Sequence, residues 1–121
     1  MIPEYWQEFV RTNQISEIDF EIDEESDLSG IGGDLRIMTA EQSEDEAKNF
    51  YPGIPAVKKH YVPVAMCLIG SGDYYYINSN DGKNGVLYRI YHDSVENEEI
   101  EENGIEKVLN NYENLLTFQR P

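Results

Sequence analysis

The sequence predicts a single α+β domain over residues 1–121, a mostly antiparallel β-sheet packed by N-terminal, central and C-terminal helices. Three patterns carry this expectation. Aromatic residues near the N-terminus fall at helical spacing. "EIDFEID", Glu17 to Asp23, alternates cleanly between apolar and acidic residues. Three strand-like runs between Val64 and Asp93 are joined by short glycine-rich connections, as in an antiparallel meander.

Pro3 suits the start of a helix, where its missing N–H costs nothing, and Tyr5, Trp6, Phe9 and Val10 then share one face, so a helix over about residues 3–12 is expected. In the strand Glu17 to Asp23, Ile18, Phe20 and Ile22 face the core, and Glu17, Asp19, Glu21 and Asp23 face outward. "EESDLSGIGGD" is a loop by composition, and "LRIMT" is a short strand. Thr39 with Gln42 forms a capping box ahead of a polar helix that runs to about Phe50. Ala47, Phe50 and Tyr51 of that helix reach the core, and "PGIP" ends it.

In "YVPVAMCLIG", Pro63 cannot donate to a ladder, so the run enters the sheet after it or at an edge, and Val64 to Ile69 form a buried central strand. "GSGD" then turns tightly into the strand "DYYYINS", and "NDGKNG" is a hairpin loop before the strand "GVLYRIYHD". Tyr74, Tyr75 and Tyr76 cannot all lie on one face of a strand, so at least one ring belongs on an open side of the sheet. Ile105, Val108, Leu109, Tyr112, Leu115 and Leu116 follow helical spacing after an Asn103–Glu106 capping box, so a closing helix is expected.

The totals bound the function. A chain of 121 residues with 40% apolar side chains is long enough to bury roughly 65% of its unfolded surface without staples. With 24 acidic and 9 basic side chains the net charge is −15, which disfavours nucleic acid and anionic membrane as partners and favours a basic protein. The same charge also serves solubility alone. Cys67 is the single cysteine and sits in an apolar run, where a thiol is a small core residue. The opening "MIPEYWQEFV" lacks the basic and apolar regions of a signal peptide, and no window approaches the ~20 apolar residues of a membrane span, so a cytoplasmic location is expected.

Chemical motifs are sparse. "GSGD" joins strand to strand, lacks a following lysine and carries an acid, unlike a phosphate loop. "NDGKNG" lacks the alternating carboxylates and closing Glu of a calcium loop. One cysteine and two distant histidines, His60 and His92, do not make a zinc site, and no nucleophile elbow is present. No catalytic residue, cofactor, metal or small-molecule substrate is expected. What remains is surface. Acids cluster between Glu17 and Asp27, in "EQSEDE", and between Glu96 and Glu106, each run being either a solvated face or a docking surface for a basic partner. Nine tyrosines favour a protein interface. The expected contacts are Asp73, Tyr74 and Tyr76 with the outward acids Glu21 and Asp23. Asp73 has a second reading, as a turn residue accepting backbone N–H bonds.

The order of these segments resembles the SUKH superfamily, which includes the fungal Smi/Knr cell-wall regulators and many bacterial immunity proteins. "IPEYWQEFV" is similar to the family's opening helix, and "LRIMTAEQSEDEAKNFY" to its central strand and polar helix. "VPVAMCLIGSGDYYYINSNDGKNGVLYRIYHD" resembles its strand, Gly-Asp turn, aromatic strand and hairpin, and "IEKVLNNYENLLTF" its closing helix. The resemblance implies a non-catalytic binding domain. Its bacterial form is an immunity protein that neutralises a toxin domain, often a nuclease; its fungal form is a regulatory scaffold in cell-wall or stress signalling. A nuclease presents a basic surface to its substrate, and an acidic inhibitor can occupy that surface.

Overall fold

The computed structural model describes residues 2–70 and 72–120. Helix α1 (Glu4–Asn13) precedes strands β1 (Asp19–Ile22) and β2 (Gly33–Ile37). Helices α2 (Ala40–Asn49) and α3 (Gly53–Lys58) follow, then β3 (Tyr61–Cys67), β4 (Tyr75–Asn78) and β5 (Leu87–Ile90). A small hairpin of β6 (Val95–Glu96) and β7 (Glu99–Ile100) leads to β8 (Ile105–Leu109) and a 3₁₀ segment, Tyr112–Phe118. Six strands form one curled antiparallel sheet in the order β1-β2-β3-β4-β5-β8.

Local signals placed several elements where the sequence predicts them. The Pro3 carbonyl accepts from Trp6 and Gln7 N–H at 3.1 and 3.2 Å, opening α1. Trp6 and Phe9 are buried against Tyr112, with ring centroids 5.0 and 4.9 Å from it, a cluster of rings in tilted and edge-on contact. The capping box of α2 is complete. Thr39 Oγ1 accepts from Gln42 N–H at 3.1 Å, and Gln42 Oε1 accepts from Thr39 N–H at 2.9 Å. In β1, Phe20 and Ile22 are buried and Glu21 is exposed.

Apolar burial occurs on both faces of the sheet. The larger core joins α1 and the 3₁₀ segment to Phe20, Leu35, Ile37, Val64, Tyr75 and Leu87. The smaller gathers Ala56, Tyr76, Ile90 and Ile100, with Tyr61, Tyr74 and Tyr88 partly buried around them. This two-sided cover corrects the expectation of an open face beside the tyrosine trio: Tyr75 fills the first core, Tyr76 the second, and Tyr74 is half-buried. The cover over Tyr76 includes Ala56 of α3, which lies within and beyond "PGIP", the segment expected only to end a helix. Phe50 turns extended after α2, so Phe50 and Tyr51 leave the helical face and are each 50% exposed rather than in the core, while Ala47 is buried as expected.

Pro63 lies inside β3, an internal strand. The register shifts between Pro63 and Ala65, and this bulge accommodates a residue with no N–H to donate. The strand stops at Cys67, so Ile69, expected in the core, is exposed.

The closing helix is replaced by β8 and the 3₁₀ segment. Leu87 pairs with Leu109 and Tyr88 with Lys107, which leaves Val108 as an extra, bulged residue. Val108 and Leu109 therefore both enter the larger core, and Tyr112 and Leu115 follow one 3₁₀ turn apart. The spacing that reads as an α-helix arises from a bulge and a tight turn. Asn103 lies in a short 3₁₀ turn, Glu102–Gly104, and not in a capping box. The outer strands also find partners: Gln119 bridges Phe20 on β1, and Leu28 N–H donates to Val108 carbonyl at 2.9 Å on β8.

Candidate partner-binding surfaces

Asp73 follows Gly72, whose φ of 77° favours glycine. Its Oδ1 accepts from His92 backbone N–H at 2.9 Å and lies 2.7 Å from His92 Nδ1. The carboxylate side chain is 12% exposed and the imidazole 56%, so His92 covers Asp73. The hydrogen bond to Asp73 raises the His92 pKa above its ordinary value. The geometry matches the turn reading of Asp73, since the carboxylate joins the β3–β4 connection to the residues after β5. Ser71 of "GSGD" lies outside the described residues.

Tyr76 is fully buried, with its hydroxyl sealed and without a hydrogen-bond partner among the described residues. Burial, with Glu46 and Tyr74 nearby, suppresses its ionisation. It offers no surface to a partner in this fold. Tyr74 keeps part of its ring accessible, and burial raises its pKa, with smaller contributions from Glu46 and Cys67.

Glu21 is exposed on β1, but its strand face is not simply acidic. Asp19, two residues before it, takes Arg36 Nε at 2.6 Å and Nη2 at 3.1 Å, and Asp34, opposite Glu21, takes Arg120 at 3.3 Å. Asp23 is exposed and accepts from both Ser26 N–H and Oγ at 3.1 Å. The Ser26 hydrogen bond is the main cause of its lowered pKa, and Asp23 is a turn cap. β2 and β3 separate β1 from β4, so Glu21 and Tyr76 sit three strand spacings apart, roughly 14 Å. The structure does not bring the five expected contact residues into one patch.

Sequence reasoning missed a buried ion pair. Asp27 and Arg89, 3% and 4% exposed, meet at 2.9 Å. Asp27 also accepts from Ser29 N–H and Oγ and from Gly32 N–H, while Arg89 donates to Ser29 Oγ, Gly32 carbonyl and Tyr75 hydroxyl. The guanidinium carbon stands 5.0 Å from the Tyr75 ring centroid. Burial pushes the Asp27 pKa up, but the bonds from Ser29 and Arg89 outweigh it and the pKa is lowered. Gly32 adopts φ 73°, and a Cβ at Gly33 would strike the Tyr75 hydroxyl, so both glycines are needed for the loop to close on Arg89. The signal was an arginine at the inward parity of an apolar strand, Leu87 then Arg89. The pair is closed to solvent and pins the β1–β2 loop across the end of the sheet.

The β6–β7 hairpin presents a run of exposed acids. Asn97 and Glu98 turn it at φ 53° and 62°, the pattern of a type I′ turn. Glu96 stands directly opposite Glu99, a like-charge pair that disfavours the hairpin. Glu96, Glu98, Glu99, Glu101 and Glu102 are exposed, and none forms an ion pair among the described residues. Lys59 reaches the hairpin but donates to the Ile100 carbonyl at 3.0 Å.

Among the described residues no group of three His, Cys, Asp or Glu side chains is placed to hold a metal ion, and no helix is long and apolar enough to cross a membrane. No protein-family model matches the chain, and no curated protein and no solved structure matches it at a significant level.

Proposed function

We propose that this chain is a non-catalytic, cytoplasmic protein-binding domain of the SUKH type, an immunity protein that binds and neutralises a basic, nuclease-like toxin domain. The observation that carries the reading is the uncompensated acid on the surface. The chain holds 24 acids against 9 bases, and the exposed glutamates of Glu96–Glu102 form no ion pair among the described residues, Lys59 donating to the Ile100 carbonyl instead. Such a surface focuses a negative field that accelerates capture of a positive partner, by about 10- to 1000-fold, and repels nucleic acid and anionic membrane. The hairpin glutamates replace Glu21 and Asp23 as the leading electrostatic contacts, and Tyr74 is the accessible ring of the trio. The closing segment departs from the helix that the family resemblance implies.

The test is co-purification with the product of the adjacent gene across a salt series. The expected result is a one-to-one complex with a basic toxin domain whose association slows at least about tenfold as salt rises. Absence of a complex contradicts the reading. A salt-insensitive complex with a cellular protein points instead to a Smi/Knr-like regulatory scaffold.

A further inference from the structure

A cleft of about 470 Å³ opens between α1 and the start of α2. Its apolar lining is Ile2, Trp6, Val10, Met38 and Ala40. Among the described residues no Asp or Glu lines it, in a chain where 24 of 121 residues are acidic. Its two rims differ in charge. On the α1 side stands Arg11, held 3.4 Å from Glu4. On the α2 side stands Thr39, which the cleft shares with an adjoining groove lined by Glu17, Glu41 and Asp45. None of these three carboxylates is ion-paired among the described residues.

We infer that this cleft seats an apolar side chain of the basic partner proposed above, with a neighbouring lysine or arginine of that partner lying over Glu17, Glu41 and Asp45. The inference rests on that reading and adds where the partner anchors. The volume accommodates one large aromatic or aliphatic side chain with its flanking backbone. Buried apolar anchors beside charged rims are the usual centre of an interface's binding energy, while exposed charge chiefly sets the encounter rate. Charge selects the occupant. A second copy of this chain brings another −15 to the acidic groove, and an anionic lipid surface is repelled in the same way. The α1 rim lines the cleft with no carboxylate and its Arg11 is already paired with Glu4, so the partner's basic residue goes to the Thr39 rim, beside Glu17, Glu41 and Asp45.

The probe is a short capped peptide, Gly-Phe-Lys-Lys, titrated into the full ¹⁵N-labelled chain at low salt. The expected result is a set of shifts centred on the Trp6 indole, Val10, Met38 and Thr39. Binding should weaken at least about tenfold when Ala replaces the peptide's Phe or Glu replaces its lysines. Ala40→Lys, at an exposed helix-start position, should block it to a similar degree, and Glu41→Gln with Asp45→Asn should weaken it severalfold. Equal binding of the Lys and Glu peptides would overturn the basic-partner assignment of the cleft. Shifts that map to Glu96–Glu102 and ignore the Phe would overturn the cleft as anchor yet leave capture by the acidic surface standing. No shift at several millimolar peptide would also overturn the cleft, and the salt series then decides the wider reading separately.

Discussion

Seven acids lie between Glu17 and Asp27 and six between Glu96 and Glu106. In the first run, Asp19 holds Arg36, Asp23 caps Ser26 and Asp27 is sealed against Arg89. In the second, the hairpin glutamates face solvent with a like charge across the turn. Two runs of similar acid content thus serve two ends, the first holding four Glu and three Asp and the second six Glu. What separates them is that three carboxylates of the first run meet fixed donors, Asp23 a local one and Asp19 and Asp27 distant ones, while Glu17, Glu21, Glu24 and Glu25 stay exposed. Those three aspartates hold the fold together, Asp27 at some cost in desolvation. The second run tolerates repulsion, and a basic partner would relieve it.

The largest expected effect lies in the first run. Asp27→Ala strands a buried guanidinium and should cost about 3–5 kcal/mol in urea unfolding. Adding Arg89→Met to the same chain should return most of that loss, because an apolar pair needs no donors. No recovery would mean that the hydrogen bonds to Ser29 and Gly32, and not the charge pairing, hold the loop.

Acid sharpens the same contrast. The Asp27 pKa is depressed in the fold, so its stabilisation is fully present above the ordinary carboxylate value and is lost as pH falls through the folded value. The His92 pKa is raised, so the stability gained from Asp73 is fully present below the ordinary histidine value and fades as pH rises through the folded value. Unfolding curves of Asp27→Asn should therefore lose the acid-side slope, and those of His92→Asn a slope near and above neutrality. The second effect is the smaller because His92 is solvent-exposed.

The smallest effect concerns the second core. Tyr76→Phe removes a sealed hydroxyl with no partner among the described residues and should stabilise the chain by about 1 kcal/mol in the same assay. A loss of that size would show that the hydroxyl finds a partner in solution.

Legibility in the sequence tracked locality. The Thr39–Gln42 capping box and the α1 aromatics are settled within a few residues and formed as read, while the alternation of the Glu17–Asp23 run held over Asp19–Ile22. Val108 misled because a bulge puts two successive apolar residues on one face and mimics a helical stripe. The Tyr76 environment depended on α3, hidden in a Pro-Gly segment that reads as a stop. Asp27 and Arg89 lie 62 positions apart, so neither signals the other, and the cleft beside Trp6 needs two helices whose docking no local pattern specifies.

The most direct test of this division between the acid runs is one thermal comparison at neutral pH. The two proteins to melt are Asp19→Asn/Asp23→Asn/Asp27→Asn and Glu98→Gln/Glu99→Gln/Glu101→Gln. The first set should lower Tm by more than about 10 °C, while the second should leave it unchanged or slightly raised. Equal losses in the two sets, or a larger loss in the second, would contradict that division.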